Sequence, residues 1–358
     1  MRDSNMEQSI ADPCVFIEKK RPKGVPQNAR PLVIWVHVDD IRSFCDYEEQ
    51  MVNFLLRINK YIQLDAVNPK NVLGCKVTNN NGAVEFSMQK YVDKIAERYG
   101  ADHKSRKARI PIDVKYNNIR DRDNRLLVGT ERREYQSVAA SLLHASTTAR
   151  PDIAFATLMA CRRMHAPTAG DMSIAQQVLN YLAATKEIGL QYGISEHDRN
   201  SRRLTAASDA DFGNQPDSRT VTGYVFFFGG AAVHWGSHVE RTVASDSTDA
   251  EILAQVSACK DAIWIRLLLK ELGMPQNGPT PIDNDNQAAV AVAEQDAGEA
   301  NRRTRHSAVR RAFVRQQVND GIVAFKDVRS ADMPADVFTK ALPFPAFARH
   351  RASLLGSR

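Results

Sequence analysis

Four acidic residues in the C-terminal part of the chain are of the type that phosphodiester hydrolysis with two metal ions requires: Asp209, Glu251, Asp285 and Asp336. Hard Mg²⁺ ions prefer oxygen ligands and keep some of their waters. Two ions about 3.5–4 Å apart can together activate a water and stabilise a departing oxygen. Such a cluster draws its carboxylates from several elements, because one strand or helix cannot surround two ions. Each acid also has a plainer reading. Asp209 and Asp211 fit exposed polar positions alternating along a strand. Thr248-Asp249-Ala250-Glu251 fits a capping box, Asp285 a simple N-cap, and Asp336 a solvated surface group. On spacing alone the plainer readings are the commoner ones.

The elements that must position these acids are legible as periodicities. Residues 204–211 read as a strand, and 219–228 with 231–236 as a hairpin around Gly229-Gly230. A long helix follows over 247–272, with an apolar stripe at Ile252, Val256, Cys259, Ile263 and Leu267. A short strand ends near Asp283, a helix begins at Asn286, and another runs over 305–318. A strand over 322–328 and a last helix from near Met333 complete the series. A three-strand meander followed by helix–strand alternation predicts a mixed sheet with helices on its faces. Asp209 then lies within the first strand and Glu251 in the first turn of the long helix. Asp285 falls at a strand–helix junction and Asp336 near the start of the final helix. Strand ends and helix starts converge readily in an α/β layer, and helix N-termini favour bound anions.

Upstream, residues 31–38 form an apolar strand ending in Asp39-Asp40, and 47–62 read as a helix. Strands over 71–78 and 83–88 flank the Asn79-Asn80-Asn81-Gly82 turn, before a helix over 89–99 that stops at Gly100. Residues 101–130 are charged and poor in large apolar side chains, as a linker would be. Helical patterns fill 132–187, punctuated by Pro151 and Pro167, and the polar run 194–202 marks a domain boundary.

With 358 residues, 43% hydrophobic and 25% charged, the chain has the make-up of a soluble protein of two or three domains. Its net charge of +6 favours an anionic partner, nucleic acid foremost. Arg302, Arg303, Arg305, Arg310, Arg311 and Arg315 crowd one stretch, suited to phosphate contacts that carry no sequence information. The alternative is a solvated helix face with acidic partners. His306 beside them suits substrate contact or product release, or a merely exposed position. The 5 cysteines lie far apart with no C-x-x-C pair, against a disulfide framework or zinc ribbon and in keeping with a reducing compartment. The polar start carries no signal segment. The apolar stretch from Tyr224 to Trp235 is too short to span a bilayer. The expected location is cytoplasmic or nuclear, away from membranes.

Seven segments resemble, in order, the ribonuclease H of copia-type retrotransposons. Ser208-Asp209-Ala210-Asp211-Phe212 resembles its SDADW strand, and Arg219-Thr220-Val221-Thr222-Gly223-Tyr224 its RSTSGY strand. Val233-His234-Trp235-Gly236-Ser237 is similar to I-S-W-x-S, and Ser247-Thr248-Asp249-Ala250-Glu251 to STEAE. Asp285-Asn286-Gln287-Ala288-Ala289 resembles DNQSA, and Arg303-Thr304-Arg305-His306 RTKH. Ala335-Asp336-Val337-Phe338-Thr339-Lys340 resembles ADxxTK. The resemblance implies that Asp209, Glu251, Asp285 and Asp336 hold two Mg²⁺ ions, with Mn²⁺ as a substitute. It implies an RNA–DNA hybrid as substrate, Arg302, Arg303, Arg305, His306 and Arg310 as hybrid-binding residues, and Asp249 outside the metal shell.

The N-terminal part resembles the reverse transcriptase of the same family. Asp12-Pro13-Cys14-Val15-Phe16 is similar to DPCLF, Val36-His37-Val38-Asp39-Asp40 to the YVDD motif, and Val72-Leu73-Gly74-Cys75-Lys76-Val77 to F-L-G-x-x-I. Tyr135-Gln136-Ser137 and Thr148-Ala149-Arg150-Pro151-Asp152-Ile153 resemble segments preceding ribonuclease H. His37 replaces the usual Tyr, and the upstream Asp of the polymerase site has no counterpart. Asp39 and Asp40 are then the remnant of a polymerase metal site, and no autonomous DNA synthesis is expected. The implied α/β (α+β) architecture is a partial palm over 1–110, a linker and helical thumb- or connection-like region over 111–200, and a ribonuclease H-like five-stranded mixed sheet with flanking helices over 203–358. A Mg²⁺-dependent hybrid endonuclease is the leading expectation. Its rivals are a catalytically silent relic that only binds nucleic acid, and a polymerase fragment completed by a partner. Other retroelement Pol or integrase segments are further candidate partners.

Overall fold

The computed structural model describes residues 5–38, 40–62, 71–102, 104, 106–294 and 305–357. The chain divides into two compact units, residues 1–68 with 260–279, and residues 69–259 with 280–358. In the first, β1 (Met6–Gln8), β2 (Val15–Glu18), β3 (Val33–His37) and β4 (Asp40–Phe44) form an antiparallel sheet in sequence order. Helix α1 (Glu48–Ile58) buries Phe54 and Ile58 with Met6, Leu32 and Ile34. Within the same unit Ser9 donates to the Glu271 carboxylate at 2.6 Å, and Trp264 Nε1 donates to the Ala11 carbonyl at 2.9 Å.

The second unit begins with β5 (Asn71–Val72), β6 (Cys75–Asn80), β7 (Ala83–Ser87) and α2 (Gln89–Arg98). Then come α3 (Tyr116–Arg122), α4 (Gly129–Thr148), α5 (Ala154–Cys161), α6 (Ala169–Ala184), β8 (Leu190–Tyr192) and the short α7 (Glu196–Asn200). Strands β5 to β8 form one antiparallel sheet. The stretch 101–130, read as a linker, is packed: Ile112, Tyr116 and Leu127 are buried in the main core, spaced between exposed charges.

The remaining elements are β9 (Thr205–Asp211), β10 (Val221–Phe228), β11 (Ala231–Val239), α8 (Ser247–Glu271), β12 (Thr280–Asn284), α9 (Gln287–Glu294), α10 (Arg305–Asn319), β13 (Val323–Asp327) and α11 (Phe344–Leu355). The strands form a five-stranded sheet in the order β11-β10-β9-β12-β13. The first three pair antiparallel, and β9, β12 and β13 run parallel, as the meander followed by crossovers predicts.

Two further expectations change. The final α-helix starts at Phe344, so Asp336 lies in a separate 3-10 turn, Pro334–Phe338. Pro343 and Pro345 set that start, because proline suits a helix's first turn and breaks its interior. On α8, Ile252 and Cys259 are buried, but Ile263 is 39% exposed; the buried seam continues through Ala262, Ile265 and Leu269. Alanines carry that seam and add little to a hydrophobic pattern.

The main core joins Leu142, Ile153, Val178 and Leu182 of the helical region to Val225, Phe338 and Leu354. The same unit holds a polar network built on the buried Arg150, Asp152 and Tyr181. Arg150 makes a two-pronged ion pair with Asp152, at 2.9 and 2.8 Å, and donates to the Thr185 carbonyl at 3.1 Å. Tyr181 donates to the same carboxylate at 2.5 Å. Burial opposes ionisation of Asp152, but Arg150 and Tyr181 outweigh it and hold its carboxyl below the usual range. Its stabilising contribution is therefore complete at neutral pH, and is lost as pH falls through that lowered value.

Gly223 faces Asp209 in the β9–β10 register. A Cβ there would lie 2.6 Å from Phe338 Cβ and 2.8 Å from Thr339 Cγ2, so only glycine lets the 334–339 turn seat against the strand. Gly223→Ala should lose about 1–3 kcal/mol of stability through overpacking, measured by urea unfolding. Asp152→Ala should lose about 3–5 kcal/mol, because it strands a buried arginine. A loss within error for Asp152→Ala would show that the network adds nothing.

Candidate metal centre

The parallel strands β9 and β12 end on the same side of the sheet, and the acids gather there. Asp209 is two residues from the end of β9, and Asp285 directly follows β12. Glu251 is the fifth residue of α8. Asp209, Glu251 and Asp285 each offer a carboxylate oxygen, and these oxygens all lie within 4.8 Å of one another. Asp336 adjoins this group through Lys340, whose Nζ is 2.8 Å from Asp336 Oδ1 and 3.6 Å from Asp209 Oδ2.

The plainer readings of these acids do not describe the structure. Asp209, Asp211 and Asp336 are buried, at 2%, 7% and 7% exposure. Helix α8 is capped without Glu251: Asp246 accepts from the Asp249 amide at 2.8 Å, and Asp249 accepts from the Ser245 amide at 3.2 Å. Helix α9 is capped by Asn286, which accepts from the Ala289 amide at 3.0 Å. The Asp285 carboxylate instead accepts from the Ser330 hydroxyl.

Residues without an assigned role in the sequence reading hold the cluster in place. Asn284, fully buried, donates to Glu251 Oε2 and to the Ser208 carbonyl, both at 3.0 Å. The Ala210 amide donates to Glu251 Oε1 at 3.4 Å. The Thr339 hydroxyl donates to Asp209 Oδ2. Thr339 and Lys340 are the last letters of the ADxxTK segment, the one signal by which they were accessible; Asn284 carried none.

Electrostatics record how crowded the charges are. Burial, then Asp209 and Asp285, raise the Glu251 carboxyl to about 9, although Asn284 and the Ala210 amide favour its ionised form. Burial and Asp209 raise Asp336 to about 7 against the pull of Lys340. Burial opposes the charge on Lys340, but Asp209 and Asp336 prevail and raise its ammonium pKa. A divalent cation fits this donor set, which is made of oxygens and carries more negative charge than its surroundings offset.

The other predicted positions fare differently. Asp40 opens β4, and its exposed carboxylate lies 3.6 Å from Arg42; Asp39 is outside the described residues. Arg302 and Arg303 are likewise outside them, as are the side chains of Arg305 and His306. Arg310 donates to the Thr242 hydroxyl at 3.1 Å and lies 4.0 Å from Asp249. Among the described residues no helix is long and apolar enough to cross a membrane.

Strand order and the acids at the ends of the parallel strands define a ribonuclease H-like α/β protein. No protein-family model matches the chain. In an alignment of 359 residues that covers 96% of the chain, it is 26% identical to the retrovirus-related Pol polyprotein from transposon TNT 1-94 of Nicotiana tabacum. It is 32% identical over 228 residues, 63% of its length, to that from transposon RE1 of Arabidopsis thaliana. The relatives this chain matches are thus retrovirus-related Pol polyproteins of copia-type transposons. The chain spans 25% and 15% of those two relatives. Among solved structures, LC11-RNase H1, isolated from compost, aligns over 39% of this chain and 94% of its own, at 13% identity and a TM-score of 0.31. The foamy viral protease–reverse transcriptase aligns over 86% of this chain and 47% of its own, at 12% identity and a TM-score of 0.38.

A carboxyl raised in the folded state stabilises the fold at low pH, and that contribution is lost as pH rises through the raised value. Near pH 9, metal-free protein therefore carries the cost of ionising Glu251. Glu251→Gln should raise the metal-free Tm there by roughly 2–4 °C, the shift expected for about 1 kcal/mol. The same variant should lose most of the Tm increase that Mn²⁺ gives the unaltered chain. A lower metal-free Tm would contradict this account of the cluster.

Proposed function

We propose that the chain hydrolyses the RNA strand of RNA–DNA hybrids at the Asp209–Glu251–Asp285–Asp336 cluster. The observation that carries this reading is the mutual approach of the first three carboxylates within 4.8 Å, with Asp336 joined to them through Lys340. Asp209, Glu251, Asp285 and Asp336 would hold two Mg²⁺ ions, with Mn²⁺ as a substitute. Such ions, when bound, lower the pKa of water and stabilise charge on the departing oxygen.

The chain's own residues supply position and charge. Thr339 fixes the rotation of the Asp209 carboxylate, and Asn284 fixes that of Glu251. Glu251, raised to about 9, gives up a proton when a cation takes its place, so cation binding strengthens as pH rises toward that value. Arg310 lies beside Asp249, two residues before Glu251, where a guanidinium suits a phosphate of the bound strand. Arg302, Arg303, Arg305 and His306 would extend that contact along the duplex. Contacts to 2′-hydroxyls would separate a hybrid from DNA duplex. We place the ribonuclease H domain at 203–358, preceded by palm-like and connection-like regions over 1–110 and 111–200.

The test is cleavage of an end-labelled RNA–DNA hybrid in Mg²⁺ and in Mn²⁺. The expected result is cutting of the RNA strand, with Asp209→Asn slower by about two orders of magnitude or more. Equal cutting by both proteins would remove this cluster from the reaction. Hybrid binding without cutting in either ion would favour a catalytically silent binding protein.

A further inference from the structure

Lys340 has a place in the cluster that the proposed reaction leaves unused. Its position is set by the turn after Asp336: the Lys340 amide donates to the Asp336 carbonyl at 3.1 Å, so its side chain returns over the Asp336 carboxylate. The ammonium lies 2.8 Å from Asp336 Oδ1 and 3.6 Å from Asp209 Oδ2, between the two acids. The four acids therefore fall into two groups. Asp209, Glu251 and Asp285 converge on one another, whereas Asp336 faces a lysine. A compact ammonium bridging two carboxylates occupies space and neutralises charge where a second cation would sit. The Lys340 side chain is 37% exposed on a flexible stem, so it can withdraw without disturbing the core.

We propose that Lys340 is a built-in cation that stands in for the second divalent ion. It holds the Asp209–Asp336 side of the cluster until an ion displaces it. The two ions then bind with unequal affinity, the first beside Asp209, Glu251 and Asp285, the second only as Lys340 leaves. This rests on the two-ion reading above and assigns its order of filling. Lys340 acts here as a positioning residue.

The experiment is a calorimetric titration of the whole chain with Mn²⁺, without nucleic acid, with bound ions counted by electron paramagnetic resonance. Unaltered protein should take up one ion at least about tenfold more tightly than a second, given the cost of parting a close ion pair. Lys340→Met should tighten the second ion about tenfold or more, while Lys340→Arg should keep the separation. Should Lys340→Met fail to fold by circular dichroism, Lys340→Gln is read in the same way. Two equal ions in the unaltered chain, or a neutral variant that titrates like it, would overturn the inference. If the unaltered chain still cuts hybrid in that case, only the role of Lys340 falls. If unaltered protein and Asp209→Asn both bind no Mn²⁺, the metal reading falls, and this inference with it.

Discussion

Carboxylates drawn together out of bulk water repel one another, and the surroundings of this cluster are arranged to withstand that repulsion. Glu251 and Asp336 respond by holding protons more tightly, to about 9 and about 7. Asn284, the Ala210 amide and the Thr339 hydroxyl each point a donor at a carboxylate oxygen. Lys340 adds a positive charge. These groups lessen the strain without removing it. The residual negative potential is what a hard divalent cation would relieve, so the cluster spends stability to keep an affinity.

The sheet makes the cluster geometrically affordable. β9 has an antiparallel neighbour on one side and a parallel one on the other, so the carboxyl ends of β9 and β12 lie side by side. Glu251 enters from the start of α8, whose capping is done by Asp246 and leaves the glutamate free to turn toward Asn284. Gly223 matters for the fourth acid: its missing side chain is the seat of Phe338 and Thr339. One glycine on β10 thus sets how closely the turn holding Asp336 can approach Asp209.

Periodicity made the strands and long helices of the C-terminal half legible, because alternating and helical patterns coincide there with clear turn residues. It placed Asp209, Glu251 and Asp285 on the right elements. It misplaced the start of the last helix, since the apolar residues around 333–338 suit a helix while Pro343 and Pro345 fix the start at Phe344. It also missed the packing of residues 101–130, where a few apolar side chains among many charges carry the burial. Asn284 was beyond reach for a different reason. A buried asparagine that bonds across two elements looks, in one dimension, like any polar residue at a strand end. The supporting residues of the cluster depend on tertiary neighbours, and only Thr339 and Lys340 were hinted at by a motif.

The parallel pairing of β9 with β12 has a kinetic consequence. Their connection passes through the β10–β11 hairpin and all of α8. The Thr339–Asp209 bond closes a span of 130 residues. Loop-closure entropy must be met before such contacts repay it, so topologies of this kind fold slowly. During synthesis β9 emerges long before β12, and its parallel edge stays unpaired meanwhile. Exposed strand edges are templates for wrong partners. The architecture that gathers the acids thus leaves a nascent chain open to mispairing until its last strands arrive.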